Sequence, residues 1–239
     1  MTIIRVPDFP FEVPDSGVVL RFEVCGFGVR TGDRRIVIDP WLAFDPKRSE
    51  ADGPDRWKRI SDALRAADLA PDAVDTVVYT HLDGVGWAVG PDGETPSFPN
   101  ARHLVAGGEL DAFDAGLRTD TDGLKVLREH GLVDPIELPH EVAAGVTIEP
   151  APGHTPSNGL VRVLNDEDEA VFVGHTFLHP AQVHRYERAE LEPDPDTAIE
   201  TRVRLLDDAA ERGSVLYGDL WDAPGCGKVT KDGDRYDLV

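Results

Sequence analysis

Val77, Val78 and Tyr79 form an apolar run with no polar interruption, which predicts a short strand buried on both faces. It stops abruptly in Thr80–His81–Leu82–Asp83–Gly84. Groups able to bind metal or move protons therefore sit on a loop at a strand's carboxyl end, where open α/β sheets keep their sites. The same residues also read as a strand-to-helix turn, with Asp83 capping a helix and His81 packed against the sheet. Earlier in the chain, Val18 to Val24 alternates between apolar and polar positions and predicts a half-buried strand. Val29 to Ile38 predicts a hairpin turning at Gly32–Asp33 and ending in Asp39–Pro40–Trp41. Residues 1–17 are Pro-rich and predict an irregular or edge segment. Asp45 to Gly53, charged and punctuated by Gly, predicts a loop. Trp57, Ile60, Leu64, Ala67 and Leu69 then recur at helical spacing up to Pro71–Asp72.

Beyond the loop, Ala88 to Asn100 is rich in Gly and Pro and predicts a long excursion, over the site or merely over the surface. A strand follows at Phe98–Val105, then helices at Glu109–Leu117 and Gly123–His130. His130 and His140 lie in polar contexts without ligand spacing and read as surface or capping residues. Val146–Pro150 is a strand running into Ala151–Pro152–Gly153–His154, a rigid turn that projects an imidazole from the strand end. Leu160–Leu164 and Ala170–Val173 predict a hairpin whose second strand ends in Gly174–His175. Asp196–Arg212 predicts a helix, and Ser214–Gly218 a last buried strand before Asp219–Leu220–Trp221. No separable second domain and no internal repeat stands out, so residues 1–239 are expected to form one domain.

Charge narrows the functional classes. The 45 acidic and 24 basic residues leave a net charge of −21, with a sequence pI near 4.6. That excludes a general basic field for nucleic-acid phosphates or anionic lipid, so neither is expected as a partner. Lys is scarce beside Arg, being confined to Lys47, Lys58, Lys125, Lys228 and Lys231. An acidic, Lys-poor surface suits a high-salt cytosol, so a halophilic origin is expected. The two cysteines, Cys25 and Cys226, lie far apart and outside any C-x-x-C pattern, which predicts free thiols. The N-terminus lacks the apolar core of a signal peptide and no run is long enough to span a membrane, so a cytoplasmic location is expected.

The stretch Thr80–His81–Leu82–Asp83–Gly84–Val85–Gly86–Trp87 resembles the signature loop of the metallo-β-lactamase superfamily, T-H-x-H-x-D-H-x-G, and above all its lactonase-like branch, T-H-L-H-F-D-H-V-G-W. Ala151–Pro152–Gly153–His154–Thr155–Pro156 resembles the family's A-P-G-H-T-P motif. Phe98–Pro99–Asn100–Ala101, His179–Pro180–Ala181–Gln182 and the closing Lys228–Tyr236 stretch are similar to family segments as well. The resemblance covers about Cys25 to Tyr236. It implies an α+β fold, the four-layer αβ/βα sandwich, with a two-metal site that opens lactones, esters or amides.

Several family ligands are altered here. The resemblance places His81, Asp83 and His154 at ligand positions. It puts His175 where the family has a metal-bridging Asp, and Leu220 where it has its last His ligand. The central loop is two residues shorter, and Gly84 stands where the loop's final His belongs. Asp39, Asp219 and His179 match supporting positions behind the site or at its edge, although Asp39 reads equally as a turn residue before Pro40. His81, His154 and His175 would offer three imidazoles and an open fourth position, a set suited to zinc. The expected cofactor is thus one zinc ion at most, or none. Two functions follow: a diverged one-metal hydrolase acting on a small molecule, or a pseudoenzyme serving as a binding or partner subunit.

Overall fold

The computed structural model describes residues 2–15, 18–40, 46–83, 85–117, 122–165, 168–187 and 192–239, with backbone alone at 8–15, 18–20 and 46–54. The chain divides into two compact units, Met1–Phe9 with Val24–Ile136 and Pro10–Glu23 with Glu137–Val239.

The first unit is built on a six-stranded mixed sheet. Its elements are β1 (Thr2–Asp15) and β2 (Val18–Thr31), of which residues 10–15 and 18–23 count to the second unit, then β3 (Arg34–Ile38), helix α1 (Pro46–Ala66), β4 (Thr76–Val78), β5 (Arg102–Ala106), helices α2 (Gly107–Asp114) and α3 (Asp122–Glu129), and β6 (Val133–Ile136). The strands run in the order β1 to β6, with β2 antiparallel to β3 and the pairs from β3 to β6 parallel. Gly32 takes a positive φ of 55° in the β2–β3 turn, as the hairpin pattern requires. β4 lies between β3 and β5, and Val77 and Val78 are fully buried, which explains their unbroken apolar run. Burying a side chain of this size contributes about 1.5–3 kcal/mol, so three adjoining parallel strands anchor the loop that follows.

Two expectations need correcting here. Of residues 1–17, expected to be irregular or an edge segment, Thr2–Asp15 takes the second form, an edge strand, and only the irregular alternative falls; an edge tolerates Pro because one side of the backbone has no ladder to complete. Residues 1, 16 and 17 lie outside the described set, as do Asp45 and Gly84. The stretch expected to be a loop from Asp45 is helical from Pro46 onward. Pro fits the first turn of a helix, and Lys47, Arg48, Glu50 and Ala51 are ordinary helix formers, so charge alone misled the reading. The helix ends where Asp68 takes a φ of 58° and the Leu69 amide donates to the Leu64 carbonyl at 2.9 Å.

The second unit carries a seven-stranded sheet in the order β13-β12-β11-β10-β9-β8-β7. In chain order it runs β7 (His140–Ala143), β8 (Val146–Pro150), β9 (Gly159–Asn165), β10 (Asp168–Phe172), α4 (Ala181–His184), α5 (Pro195–Arg212), β11 (Val215–Tyr217), β12 (Cys226–Asp232) and β13 (Arg235–Leu238). Only β10 and β11 pair in parallel, joined by the crossover through α5. Asp194 caps α5 by accepting from the Thr197 amide at 3.2 Å, Pro195 opens it, and Gly213 closes it at φ 69°. Leu205, Leu206 and Ala209 of α5 pack with Val171, Leu216 and Trp221 in one buried cluster. The sequence pattern missed β6, β7 and α4. Cys25 and Cys226 are both thiols, Cys25 being buried. Among the described residues, no helix is long and apolar enough to cross a membrane.

Candidate metal centre

In the first unit, β4 delivers Tyr79, Thr80 and His81 to the loop. Asp39, the residue after β3, is 1 % exposed and holds a left-handed φ of 47°. Its carboxylate accepts from the Thr80 amide at 2.8 Å and from the Thr80 hydroxyl at 2.9 Å. Burial pushes the Asp39 carboxyl up to about 6, against the pull of His81 and of both Thr80 bonds, so it is ionised at neutral pH. The Thr80 hydroxyl has one proton, and Asp39 takes it. The same oxygen lies 3.0 Å from His81 Nδ1, so it accepts there and Nδ1 carries the hydrogen. That tautomer turns the Nε2 lone pair outward. Nε2 stands 3.5 Å from Asp83 Oδ2.

Two buried groups hold the loop from beneath. Glu109, 1 % exposed at the start of α2, accepts from the Leu82 amide at 3.0 Å. Gly26 of β2 leaves the room that the turn needs: a Cβ there would lie 2.6 Å from the Trp87 ring and 2.7 Å from the Asp39 carbonyl oxygen. After Asp83 the chain makes a single 3₁₀ turn, Gly86–Ala88, whose cap is Val85 without a side-chain bond. Asp83 is therefore not the helix cap that the alternative reading supposed.

In the second unit, the turn after β8 presents His154, and the 3₁₀ turn Gly174–Thr176 after β10 presents His175. Their rings meet edge to face, 4.6 Å between centroids, with His175 Nδ1 3.0 Å from His154 Nε2. His154 Nδ1 lies 3.0 Å from Glu192 Oε2, and Arg202 Nη2 donates to the other oxygen of Glu192. Both members of that ion pair are buried. Asn158 Nδ2 ties the turn together, donating to the Ala151 carbonyl at 2.8 Å and to the Thr176 hydroxyl at 3.2 Å.

Of the other residues, His179, Leu220 and His130 are tied into backbone contacts. His179 Nδ1 accepts from the Ala181 amide at 3.1 Å and its ring meets Phe22 edge-on at 5.0 Å. Burial pushes its pKa down, opposed by Asp222 and by a bond to the Arg21 backbone. Asp219 is 1 % exposed in the turn after β11, and the adjacent Leu220 is buried, its carbonyl accepting from the Glu23 amide at 3.1 Å. His130 is exposed, with Nδ1 2.9 Å from the Val126 carbonyl oxygen, as a surface residue.

Sequence reasoning missed Thr80, Glu109, Glu192 and Arg202. A signal existed for one of them. Arg202 falls on the apolar stripe of α5 with Ala198, Leu205, Leu206 and Ala209, and a cation on a buried stripe requires a buried counter-charge.

No protein-family model and no curated protein matches the chain. Solved structures do. A hydrolase of the beta-lactamase superfamily, AbOPH, superposes with a TM-score of 0.79 at 18 % identity, covering 99 % of this chain and 93 % of its own. AidC, a dizinc quorum-quenching lactonase in complex with a product, gives 0.80 at 13 %, again over 99 % and 93 %. A probable metal-dependent hydrolase from Staphylococcus aureus gives 0.78 at 17 %, over 100 % and 96 %. At these identities the likeness is one of fold, and it agrees with the motif resemblance: this chain has the α+β, αβ/βα fold of the metallo-β-lactamase superfamily hydrolases.

Proposed function

We propose that this chain is a hydrolase-fold protein that holds a single zinc ion through His81, His154 and His175, with Asp83 beside it, and that the second metal of its dizinc relatives has no place here. The observation that carries the proposal is the pairing of His154 Nε2 with His175 Nδ1 at 3.0 Å. Two nitrogens each ~2.0–2.1 Å from one tetrahedral zinc lie about 3.3 Å apart, so the two rings need little movement to share an ion, once the ring hydrogen of His175 passes from Nδ1 to Nε2. The donor set also fits. Three neutral imidazoles with a fourth position open make a common catalytic zinc environment, and His81 is held in the tautomer that offers Nε2.

A bound zinc would polarise a substrate carbonyl and make a water molecule acidic enough to attack near neutral pH. The residues of this chain would then have distinct tasks. Thr80 and Asp39 orient His81, Glu192 orients His154, and Asp83, about one-third exposed at its side chain, stands where it can accept a proton from the attacking water. The substrate class is taken from the dizinc lactonase of like fold and from the motif resemblance: small lactones and simple esters. With only one ion, the clamp that steadies both attacking and leaving oxygens is incomplete, so turnover is slow.

A second reading, a binding subunit without turnover, is favoured by Leu220, a buried apolar residue at the position of the family's last ligand. The test is hydrolysis of a lactone and an ester panel by zinc-loaded protein beside Asp83→Asn and His175→Ala. Slow, zinc-dependent turnover lost in both variants supports the hydrolase. Zinc bound without turnover selects the binding subunit, and protein that retains no zinc overturns the metal assignment.

A further inference from the structure

We infer that Glu192, held by Arg202, is a positioning residue that locks His154 into the tautomer with a hydrogen on Nδ1 and a bare Nε2. The inference deepens the zinc reading above and rests on it for its consequence, although the tautomer itself belongs to the metal-free protein. A carboxylate only accepts and a guanidinium only donates. Arg202 fills one Glu192 oxygen, so the other, 3.0 Å from His154 Nδ1, takes the imidazole hydrogen. With one ring hydrogen, His154 then keeps Nε2 as an acceptor, and His175 Nδ1, 3.0 Å away, is the donor that matches it. Hydrogen bonds thus converge on Glu192 from both sides, with His175 donating to His154 and His154 to the carboxylate.

Arg202 has little freedom to deviate. Its Nε donates to the Thr176 carbonyl at 2.7 Å, its guanidinium lies 5.8 Å from the centre of the Phe177 ring, and its side chain is fully buried. The helix that carries it also holds the His154 turn directly, since the Thr201 hydroxyl donates to the Pro152 carbonyl at 2.7 Å. Helix α5 therefore sets both the place of the turn and the direction of the ring. In the metal-free protein, His175 keeps the Nε2 lone pair of His154 occupied at the position a metal ion would take. Carboxylate partners of this kind raise ligand basicity, and their loss costs roughly 10–100-fold in metal affinity.

The first measurement needs no variant of Glu192: ¹⁵N-histidine NMR on the full, metal-free chain near neutral pH, with His154 assigned through His154→Gln. A hydrogen on Nδ1 of His154 and none on Nε2 is expected, and a hydrogen on Nε2 overturns the inference. The second compares zinc affinity, by chelator competition, between the unaltered protein and Glu192→Met/Arg202→Met. That pair removes both buried charges together, so neither is left unpaired. A roughly 10–100-fold weaker Kd at unchanged stoichiometry is expected, and an unchanged Kd contradicts positioning. If the unaltered protein takes up no zinc, the zinc reading fails while the NMR result still decides the role of Glu192.

Discussion

His103 shows how strongly a single buried residue can make this fold depend on pH. It is fully buried in β5, stacked 5.9 Å from Tyr79, with Nδ1 2.9 Å from the Tyr79 hydroxyl. Burial, with Arg102 adding to it, pushes its pKa down to about 3. In the unfolded chain a histidine takes up its proton near 6.5, so the contribution of His103 to stability is complete above that pH. It is lost as pH falls toward 3, at up to about 1.4 kcal/mol per unit. Asp39 works in the opposite direction. Its raised pKa of about 6 favours the folded state below that value and withdraws the benefit as pH rises through it. A variant is needed to separate the two. His103→Gln keeps an acceptor for Tyr79 and cannot titrate, so its urea-unfolding free energy should fall less than that of the unaltered protein between pH 7 and pH 5, by about 1–2 kcal/mol. Equal falls would mean that His103 is not held neutral.

Helix α5 is the element that holds the His154 turn. Gly153, at φ 140°, lies against it so closely that a Cβ would sit 2.5 Å from the Ala198 Cα. Gly153→Ala should therefore push α5 and the His154 turn apart, costing about 2–3 kcal/mol in urea unfolding and weakening zinc uptake. A variant as stable as the unaltered protein would show that the turn has slack. The helix was legible in the sequence, because Ala198, Leu205, Leu206 and Ala209 repeat at helical spacing and Arg212 leads into Gly213. So were β4 and β8, as unbroken or alternating apolar runs that end in His-bearing turns. The start of α1 was not, because a charged stretch with a Gly and two prolines offers the same pattern as a loop. Glu192 was hidden for another reason. It lies among Glu187, Asp194 and Asp196, and only tertiary structure distinguishes the one carboxylate that is buried against an arginine from these solvated neighbours.

At the scale of the whole molecule the dominant quantity is charge. A net charge of −21 on 239 residues opposes compaction through self-repulsion. Salt shortens the reach of that repulsion from about 10 Å at 0.1 M to about 3 Å at 1 M. The melting temperature should therefore rise between dilute and molar KCl, and thermal unfolding followed by circular dichroism at both concentrations checks it. A melting temperature that does not change would show that the surface charges are already too far apart to matter.

The central claim concerns the metal count, and zinc stoichiometry tests it most directly. The unaltered protein and His154→Ala are loaded with zinc near neutral pH, freed of excess, and analysed for metal per chain. One equivalent in the unaltered protein, falling to none in His154→Ala, is the predicted result. Two equivalents would mean that the dizinc centre survives despite the shortened loop, and no zinc in either protein would contradict the account altogether.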